Sequence, residues 1–297
     1  LHAMSPIKIL SGSPHSSVFK AAAMLGLGYD AIEKIACRPN SEVIDTAALA
    51  ERLQSLQGES VIVVGNAGIV NNADFDPLAE IAALKAQHEF WFHVDGAFGL
   101  MAAASPRWRV LTRGAELADS VAVDGHKWLN VPYDAGFLFT RHIGAQVRTF
   151  QNISPYLGAP VIDPLNTLHL GPENSRRWRA LPLWFTLKAY GSEGIRALIE
   201  NCCDMATAFS SAINEIPGLK LAAPVQLNIV CFTLDRPCTM DDMKALQKKL
   251  TDSGKMFVTP SSYLNQPILR AAFSNWRVTK EDIEIMRQTL LEAMKST

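Results

Sequence analysis

The sequence predicts an α/β fold in which a large domain with a mostly parallel sheet is followed by a small α+β domain. Short apolar runs at residues 61–64, 90–94 and 121–123 are typical of strands that are buried on both faces. A predicted helix separates the first two of these runs, and its connections are short. Strand, helix and strand joined by short connections indicate right-handed βαβ units in a parallel sheet.

Strands and helices alternate in the first hundred residues. Residues 7–10 are a candidate strand, and a helix follows over residues 13–28 with serine caps and a proline in its first turn. Apolar residues at helical spacing predict a second helix within residues 42–57. A third helix, over residues 76–88, begins with an aspartate cap and a proline at its first helical position. This alternation is what a parallel sheet requires.

The stretch from residue 136 to residue 190 is less regular. Residues 136–140 are predicted to form an antiparallel strand. Residues 150–177 hold six prolines and glycines without a clear period, which is typical of a loop that is functional or disordered. A long helix is predicted over residues 175–190. Its arginines either meet acidic groups or only cap the helix and contact solvent.

The last third of the chain has the composition of a small α+β unit. A helix over residues 193–216 follows Gly191, which marks a predicted hinge. Strands are predicted at residues 219–222, 227–234, 256–259 and 268–273, with helices at residues 240–253 and 279–295. We therefore divide the chain into a large domain, residues 1–190, and a small domain, residues 191–297.

Bulk composition excludes several classes of partner. The formal net charge of the 297 residues is -1, which gives no electrostatic footprint for nucleic acid or an anionic membrane. No apolar run approaches the roughly 20 residues of a membrane span, and the first residues do not resemble a leader peptide. The five cysteines are an odd number and include the adjacent Cys202 and Cys203, so free thiols are expected. These observations predict a cytoplasmic protein.

Charged groups follow two neighbouring strands of the predicted sheet. Asp95 ends the run at residues 90–94, and Asp124, His126 and Lys127 follow the run at residues 121–123. The carboxyl ends of strands are where open α/β sheets bind their ligands. A lysine that forms a Schiff base, opposite an aspartate that pairs with a pyridinium nitrogen, is what pyridoxal phosphate chemistry requires. The predicted cofactor is pyridoxal 5'-phosphate.

Lys127 and Asp95 also each have an ordinary structural interpretation. A lysine in a turn is usually solvated and protonated, and it becomes a nucleophile only when it is desolvated or lies near positive charge. Val121, Val123 and Trp128 flank Lys127 and are able to desolvate it. An isolated Asp95 would most often be a strand-end cap. Their occurrence together favours the cofactor site.

The same residues resemble a known family. His93-Val94-Asp95-Gly96-Ala97, followed by Asp119-Ser120 and by the segment from His126 to Asp134, is similar to the group II pyridoxal-phosphate-dependent amino-acid decarboxylases. That family includes the aromatic-L-amino-acid, tyrosine, histidine, glutamate and 2,4-diaminobutyrate enzymes. Residues 14–17, 174–184 and 269–275 match it as well. The resemblance implies a fold type I, aspartate-aminotransferase-like large domain and a carboxy-lyase of amino-acid metabolism.

The resemblance also assigns cofactor contacts. Lys127 is expected to hold the cofactor and Asp95 to keep its ring nitrogen protonated. Ala97 and His15 are expected on opposite faces of the ring, although His15 is equally placed to cap a helix. His126 is expected to contact the phosphate or the ring, and Asp124 is expected at the cofactor too. No metal ion is implied.

Two further residues are assigned to the substrate. Tyr156, in the loop at residues 150–177, is expected to return a proton to the substrate α-carbon; the alternative is that it packs the loop down. Arg270 interrupts an apolar strand and is expected near the substrate carboxylate, although a structural ion pair would also explain a charge there. The resemblance further implies a homodimer with the site near the subunit interface.

The chain departs from the family pattern in two places. Ile69 and Val70 stand where related enzymes usually have hydroxyl residues. Related enzymes also have a longer portion, with a phosphate-binding loop, before the segment at residues 14–17. Three interpretations therefore stay open. The chain is an amino-acid decarboxylase, an aldehyde synthase or carbon-carbon lyase with the same cofactor, or an inactive assembly partner.

Overall fold

The structure, a computed structural model, describes residues 6–162 and 167–295. Its first sheet has six strands: β1 (Ile7–Ser11), β2 (Ile32–Lys34), β3 (Ser60–Asn66), β4 (Trp91–Asp95), β5 (Ser120–Asp124) and β6 (Gly136–Thr140). They lie in the order β2-β1-β3-β4-β5-β6. The first five are parallel, and β6 runs antiparallel to β5. The predicted mostly parallel sheet is confirmed.

Five helices accompany this sheet: α1 (Ser16–Met24), α2 (Thr46–Ser55), α3 (Leu78–Ala83), α4 (Gly125–Trp128) and α5 (Ile143–Phe150). Helix α2 begins where Asp45 accepts hydrogen bonds from the backbone N–H groups of Ala47 and Ala48. Helix α3 is shorter than predicted because the chain tightens into a 3-10 turn at residues 84–86. The short strand β2 and helix α5 were not predicted.

Apolar side chains fill both faces of this sheet. Phe92 is fully buried and belongs to the main core together with Leu49 of α2 and Ile81 of α3. On the other face, Ile9 of β1 packs with Ala22 of α1. Burying a side chain such as Phe92 stabilises the fold by about 1.5–3 kcal/mol. The core therefore fixes β4, and with it the residue at its carboxyl end.

The second sheet is antiparallel and has four strands: β7 (Leu219–Leu221), β8 (Ile229–Leu234), β9 (Thr259–Tyr263) and β10 (Gln266–Ala272), in the order β7-β8-β10-β9. Helices α7 (Met240–Asp252) and α8 (Lys280–Lys295) accompany it. The strand predicted at residues 256–259 is wrong, because β9 begins where that strand was expected to end. Leu264 and Asn265, with φ of 48° and 65°, form a two-residue hairpin that sets the pairing of β9 with β10.

One long helix, α6 (Ala180–Asn214), connects the two sheets. Gly191 interrupts it with φ 58° and ψ -172°, so the two predicted helices meet there, as the predicted hinge requires. The helix starts later than residue 175. Arg179, just before it, pairs with Asp134 and Glu173, so this arginine meets acidic groups. The domain boundary at Gly191 stays a prediction.

Some predictions concern residues outside the described ranges. These are the first five residues, used for the expected localisation, and residues 163–166 of the loop predicted over residues 150–177. Among residues 6–162 and 167–295, no helix has the length and apolar character needed to cross a membrane.

Candidate active site

The carboxyl ends of β4 and β5 meet at one edge of the first sheet. Asp95 is the last residue of β4 and lies opposite Ala122 of β5. The backbone N–H of Asp124 donates to the carbonyl oxygen of Ala97 at 3.4 Å, which brings the turn after β4 against the end of β5. The structure therefore places Asp95, Ala97 and Asp124 together, as predicted from their positions after two neighbouring strands.

Lys127 lies on the short helix α4, directly after β5. Its Nζ is 3.0 Å from Oδ2 of Asp124, and its side chain is 32% exposed. The same Nζ is 5.6 Å from the centroid of the Phe98 ring. A cation this close to an aromatic face is attracted by the ring's quadrupole. Lys127 is thus a partly desolvated amine with one acidic and one aromatic neighbour.

Asp95 is half-buried and keeps most of its acceptor capacity. Its Oδ1 accepts from the backbone N–H of Ala97 at 3.2 Å. Burial lowers the pKa of the neighbouring His93, against an opposing effect of Asp95. The Nδ1 atom of His93 is 2.8 Å from the hydroxyl of Ser120. The lowered pKa of His93 reduces the positive charge that it places beside the Asp95 carboxylate.

His126 packs against the turn that follows α4. Its ring centroid is 4.3 Å from that of Tyr133, and its Nδ1 is 3.0 Å from the carbonyl oxygen of Ala135. Its Nε2 is 3.5 Å from the Asp124 carboxylate. Asp124 is therefore shared between His126 and Lys127, which places all three predicted residues in one cluster.

His15 lies at the same edge of the sheet, after β1. It is exposed and caps α1, with Nδ1 accepting from the backbone N–H of Ser17 at 3.2 Å. The capping interpretation is therefore confirmed. Its stacking on a cofactor ring stays a prediction.

Arg270, on β10 of the second sheet, reaches towards the first. Its guanidinium carbon is 6.0 Å from the centroid of Phe98, the ring that also neighbours Lys127. Its Nε is buried without a hydrogen-bond partner in the described residues. Burial lowers the pKa of Arg270, against an opposing effect of Cys231. No ion pair joins Arg270 to a carboxylate of the described residues, so its guanidinium has capacity for an anionic ligand.

Tyr156 is not part of this cluster. Its side chain is 85% exposed, in a loop where Ser154 pairs with Gly158. Among the described residues it makes no hydrogen bond or ring contact with Lys127 or Asp95. Its role in proton return stays a prediction.

The turn after β3 holds the two nonpolar residues at positions 69 and 70. Ile69 is fully buried and Val70 is exposed. The neighbouring Asn71 donates to Oε1 of Glu42 at 2.7 Å and to the carbonyl oxygen of Ser262 at 3.0 Å. The turn is thereby tied to the second sheet, which holds Arg270.

Sequence reasoning missed Phe98, which neighbours both cationic groups of the site. An aromatic residue directly after Asp95-Gly96-Ala97 was the available signal. Its importance depends on Arg270, which is 172 positions away in the chain and approaches Phe98 only in the folded protein.

Comparisons with known proteins identify a family. A family model described as the pyridoxal-dependent decarboxylase conserved domain matches residues 5–235. An aromatic-L-amino-acid decarboxylase from Bacillus atrophaeus is 28% identical over 285 residues, which cover 92% of this chain and 59% of the relative. A histidine decarboxylase from Drosophila melanogaster is 34% identical over 250 residues, which cover 79% of this chain and 28% of the relative.

A solved structure shares the fold. The crystal structure of Catharanthus roseus tryptophan decarboxylase in complex with L-tryptophan matches with a TM-score of 0.88 at 19% identity, covering 100% of this chain and 64% of that one. At that identity the match supports the fold alone, here fold type I. The chain spans less than two thirds of the length of each of these three proteins.

Proposed function

Because the chain belongs to the family of pyridoxal-dependent decarboxylases, we propose that it converts an L-amino acid to the corresponding amine and CO2. Pyridoxal phosphate is the cofactor of this family. The observation that supports the proposal most directly is the placement of Lys127 and Asp95 after two neighbouring parallel strands. Aromatic amino acids and histidine are the first substrates to test, because the relatives named above act on them.

The residues present fit this cofactor. Lys127 supplies an amine for the aldehyde, Asp95 supplies a carboxylate with free acceptor capacity for the ring nitrogen, and Ala97 leaves room for a flat ring. The buried Nε of Arg270 without a partner fits an anionic group. When bound, the cofactor supplies an electron sink for the pair of electrons left on the α-carbon.

Each protein residue has a defined task in this reaction. Lys127 would hold the cofactor covalently through Nζ. Asp95 would keep a proton on the ring nitrogen, and His15 and Ala97 would contact the ring. Arg270 binds the carboxylate of the amino acid and fixes its orientation. Tyr156 would donate a proton to the α-carbon after loss of CO2, which would require the exposed loop to move towards the site.

The test is a visible absorbance spectrum after addition of pyridoxal phosphate, followed by a CO2-release screen over the amino acids. A new visible band and CO2 release with amine as the product would support the proposal. Aldehyde with ammonia would indicate an aldehyde synthase, and a carbon-carbon cleavage product would indicate a lyase. A protein without any spectral response would favour the interpretation as an inactive assembly partner.

We also propose a cytoplasmic homodimer. Three aromatic side chains at the start of α6, those of Trp184, Phe185 and Tyr190, are each more than half exposed. Such side chains are enriched at interfaces. Sedimentation velocity tests the proposal: a single species of the monomer mass at all concentrations would contradict it.

A further inference from the structure

The turn after β3 reaches the second sheet through Asn71, a residue that the proposed reaction does not use. Asn71 is buried and contacts two strands of that sheet. Its backbone carbonyl oxygen accepts from the thiol of Cys231, on β8, at 2.8 Å. Its Oδ1 accepts from the hydroxyl of Ser261, on β9, at 2.7 Å, and its Nδ2 donates to the carbonyl oxygen of Ser262 at 3.0 Å. Asn71 thus binds β8 and β9 together.

Strand β10, which carries Arg270, lies between these two strands. Arg270 is directly opposite Cys231 of β8 and opposite Thr259 of β9. Side chains that are directly opposite in an antiparallel pair lie on the same face of the sheet, so the Cys231 thiol and the Arg270 guanidinium both face the first sheet. The distance of 6.0 Å between the guanidinium carbon and the Phe98 centroid agrees with this orientation. Asn71 therefore contacts both neighbours of the strand that presents Arg270.

The Arg270 side chain has little that fixes it directly. Its Nε is buried without a hydrogen-bond partner in the described residues, and no ion pair joins it to a carboxylate of those residues. Its place in the site therefore depends on the strand that carries it. Groups that bind a ligand must be held within about 0.5 Å of their productive position. A shift of β10 relative to the first sheet would thus weaken binding at the guanidinium.

Asn71 is also anchored on the side of the first sheet. Its Nδ2 donates to Oε1 of Glu42 at 2.7 Å, and Oε2 of Glu42 is buried without a partner in the described residues. Burial raises the pKa of Glu42, and the hydrogen bond from Asn71 opposes that shift. The backbone N–H of Ala73 donates to the carbonyl oxygen of Ile69 at 2.8 Å, which closes the turn. Asn71 is therefore fixed from both directions and links the two sheets beside the site.

We propose that Asn71 is a positioning residue that sets the place of Arg270 in the site, and thereby how tightly the carboxylate of the amino acid is bound. The proposal rests on the function proposed above, since it concerns the residue assigned to the substrate. Asn71 acts through β8 and β9. Lys127 and Asp95 follow strands of the first sheet, so cofactor capture does not depend on this link.

The test separates substrate binding from turnover by measuring KM and kcat at saturating pyridoxal phosphate, with the best substrate of the CO2-release screen. Asn71→Asp should raise KM about tenfold with little change in kcat, because it removes the donors of the amide and places a second carboxyl against Glu42. The cofactor absorbance should match that of the wild type. Asn214→Asp is the matched control, since Asn214 is exposed at the end of α6.

A second substitution should reverse the effect. In Asn71→Asp combined with Glu42→Gln, the carboxyl and the amide exchange places, so a donor again faces an acceptor and KM should return to within about threefold of the wild type. Glu42→Gln alone should stay near the wild type, because its amide oxygen still accepts from Asn71. Circular dichroism verifies that each variant is folded. If Asn71→Asp does not fold, Ser261→Ala replaces it, since it removes only a hydroxyl that donates to Asn71.

A double-mutant cycle tests whether Asn71 acts through Arg270. In an Arg270→Met background, Asn71→Asp should raise KM less than about twofold, because the group that it positions is absent. An equal rise in both backgrounds, a wild-type KM of Asn71→Asp, or a KM that stays raised after Glu42→Gln is added would overturn the proposal while leaving the proposed function intact. A wild type that releases no CO2 from any amino acid would overturn both.

Discussion

Strand β5 has a lysine–aspartate pair at each end, and the two pairs are built differently. At the carboxyl end Lys127 pairs with Asp124, whose side chain is 25% exposed. At the amino end Lys85 pairs with Asp119, whose side chain is 8% exposed. Asp119 also accepts from the backbone N–H of Phe92 at 2.7 Å and lies 2.8 Å from Nε2 of His142.

This difference distinguishes a carboxylate that stabilises the fold, that of Asp119, from carboxylates that are available to a ligand. The carboxylate of Asp119 accepts hydrogen bonds from three donors in separate segments of the chain. Asp124 and Asp95 are less buried and have fewer partners, so they remain able to bind a ligand. The candidate site is therefore distinguished by carboxylate oxygens at the carboxyl ends of strands that can still accept hydrogen bonds.

The largest expected effect is on cofactor binding, and it should distinguish Lys127 from Lys85. Lys127→Ala should abolish the visible absorbance that pyridoxal phosphate induces, because no other amine occupies that position. Lys85→Ala, at the other end of β5, should retain the absorbance. Absorbance spectra of both variants with added cofactor check this. An unchanged spectrum of Lys127→Ala would show that another group binds the cofactor.

A smaller loss is expected when Asp95 loses its charge. Asp95→Asn should lower the rate of CO2 release about 100-fold, because a charge-assisted hydrogen bond to the ring nitrogen is worth roughly 3 kcal/mol. The rate is measured at saturating cofactor. Asp235→Asn is the control, since Asp235 forms an exposed pair with Lys220. Normal turnover by Asp95→Asn would contradict the role assigned to Asp95.

Asp119, just before β5, and Asp124, at its carboxyl end, should differ in how much each stabilises the fold. Asp119→Asn should lower the free energy of unfolding by about 2 kcal/mol, because it leaves buried donors such as the Phe92 N–H poorly satisfied. Asp124→Asn should cost less than about 1 kcal/mol, as is usual for partly exposed pairs. Urea denaturation of both variants measures the difference. Equal losses would contradict the structural assignment of Asp119.

The smallest expected effect is the change with pH in how much Asp119 stabilises the fold. Burial would raise the pKa of Asp119, but hydrogen bonds from Lys85, the Phe92 N–H and His142 outweigh burial and lower it. The unfolded carboxyl, with a pKa of about 3.9, therefore takes up a proton first as the pH falls. The stability from Asp119 is complete above that pH and is lost as the pH falls through the folded pKa.

Denaturation at about pH 6 and about pH 3 tests this sign. The gap in stability between the wild type and Asp119→Asn should narrow at the lower pH, by about 1 kcal/mol or less. A gap that widens in acid would show that Asp119 is not held as a carboxylate.

The same contrast explains what the sequence predicts and what it does not. Residues 61–64, 121–123 and, apart from His93, 90–94 are apolar because β3, β4 and β5 lie in the interior of the sheet, so the pattern locates the strands and the polar residues after them. Asp95, Asp124 and Lys127 follow from chain position alone. They were predicted because the site uses residues next to strand ends.

Other features depend on contacts that are distant in the chain. The strand β9 contains a proline and two serines, and it becomes a strand because Thr259 pairs with Arg270. Phe98 acquires its place in the site only when Arg270 approaches from the second sheet. No local period carries this information, since the partners are far apart in sequence.

The backbone conformation of Gly191 restricts which residue can occupy the kink in α6. A Cβ at this position would meet no atom of the described residues within 4 Å, so none of those residues forbids a larger side chain. The backbone angles alone exclude it, because they belong to a region that only glycine enters without strain of about 1–3 kcal/mol. A D-amino acid has the opposite backbone preference, so a D-alanine installed by chemical ligation should fit there without strain. L-alanine at the same position should straighten or distort the helix.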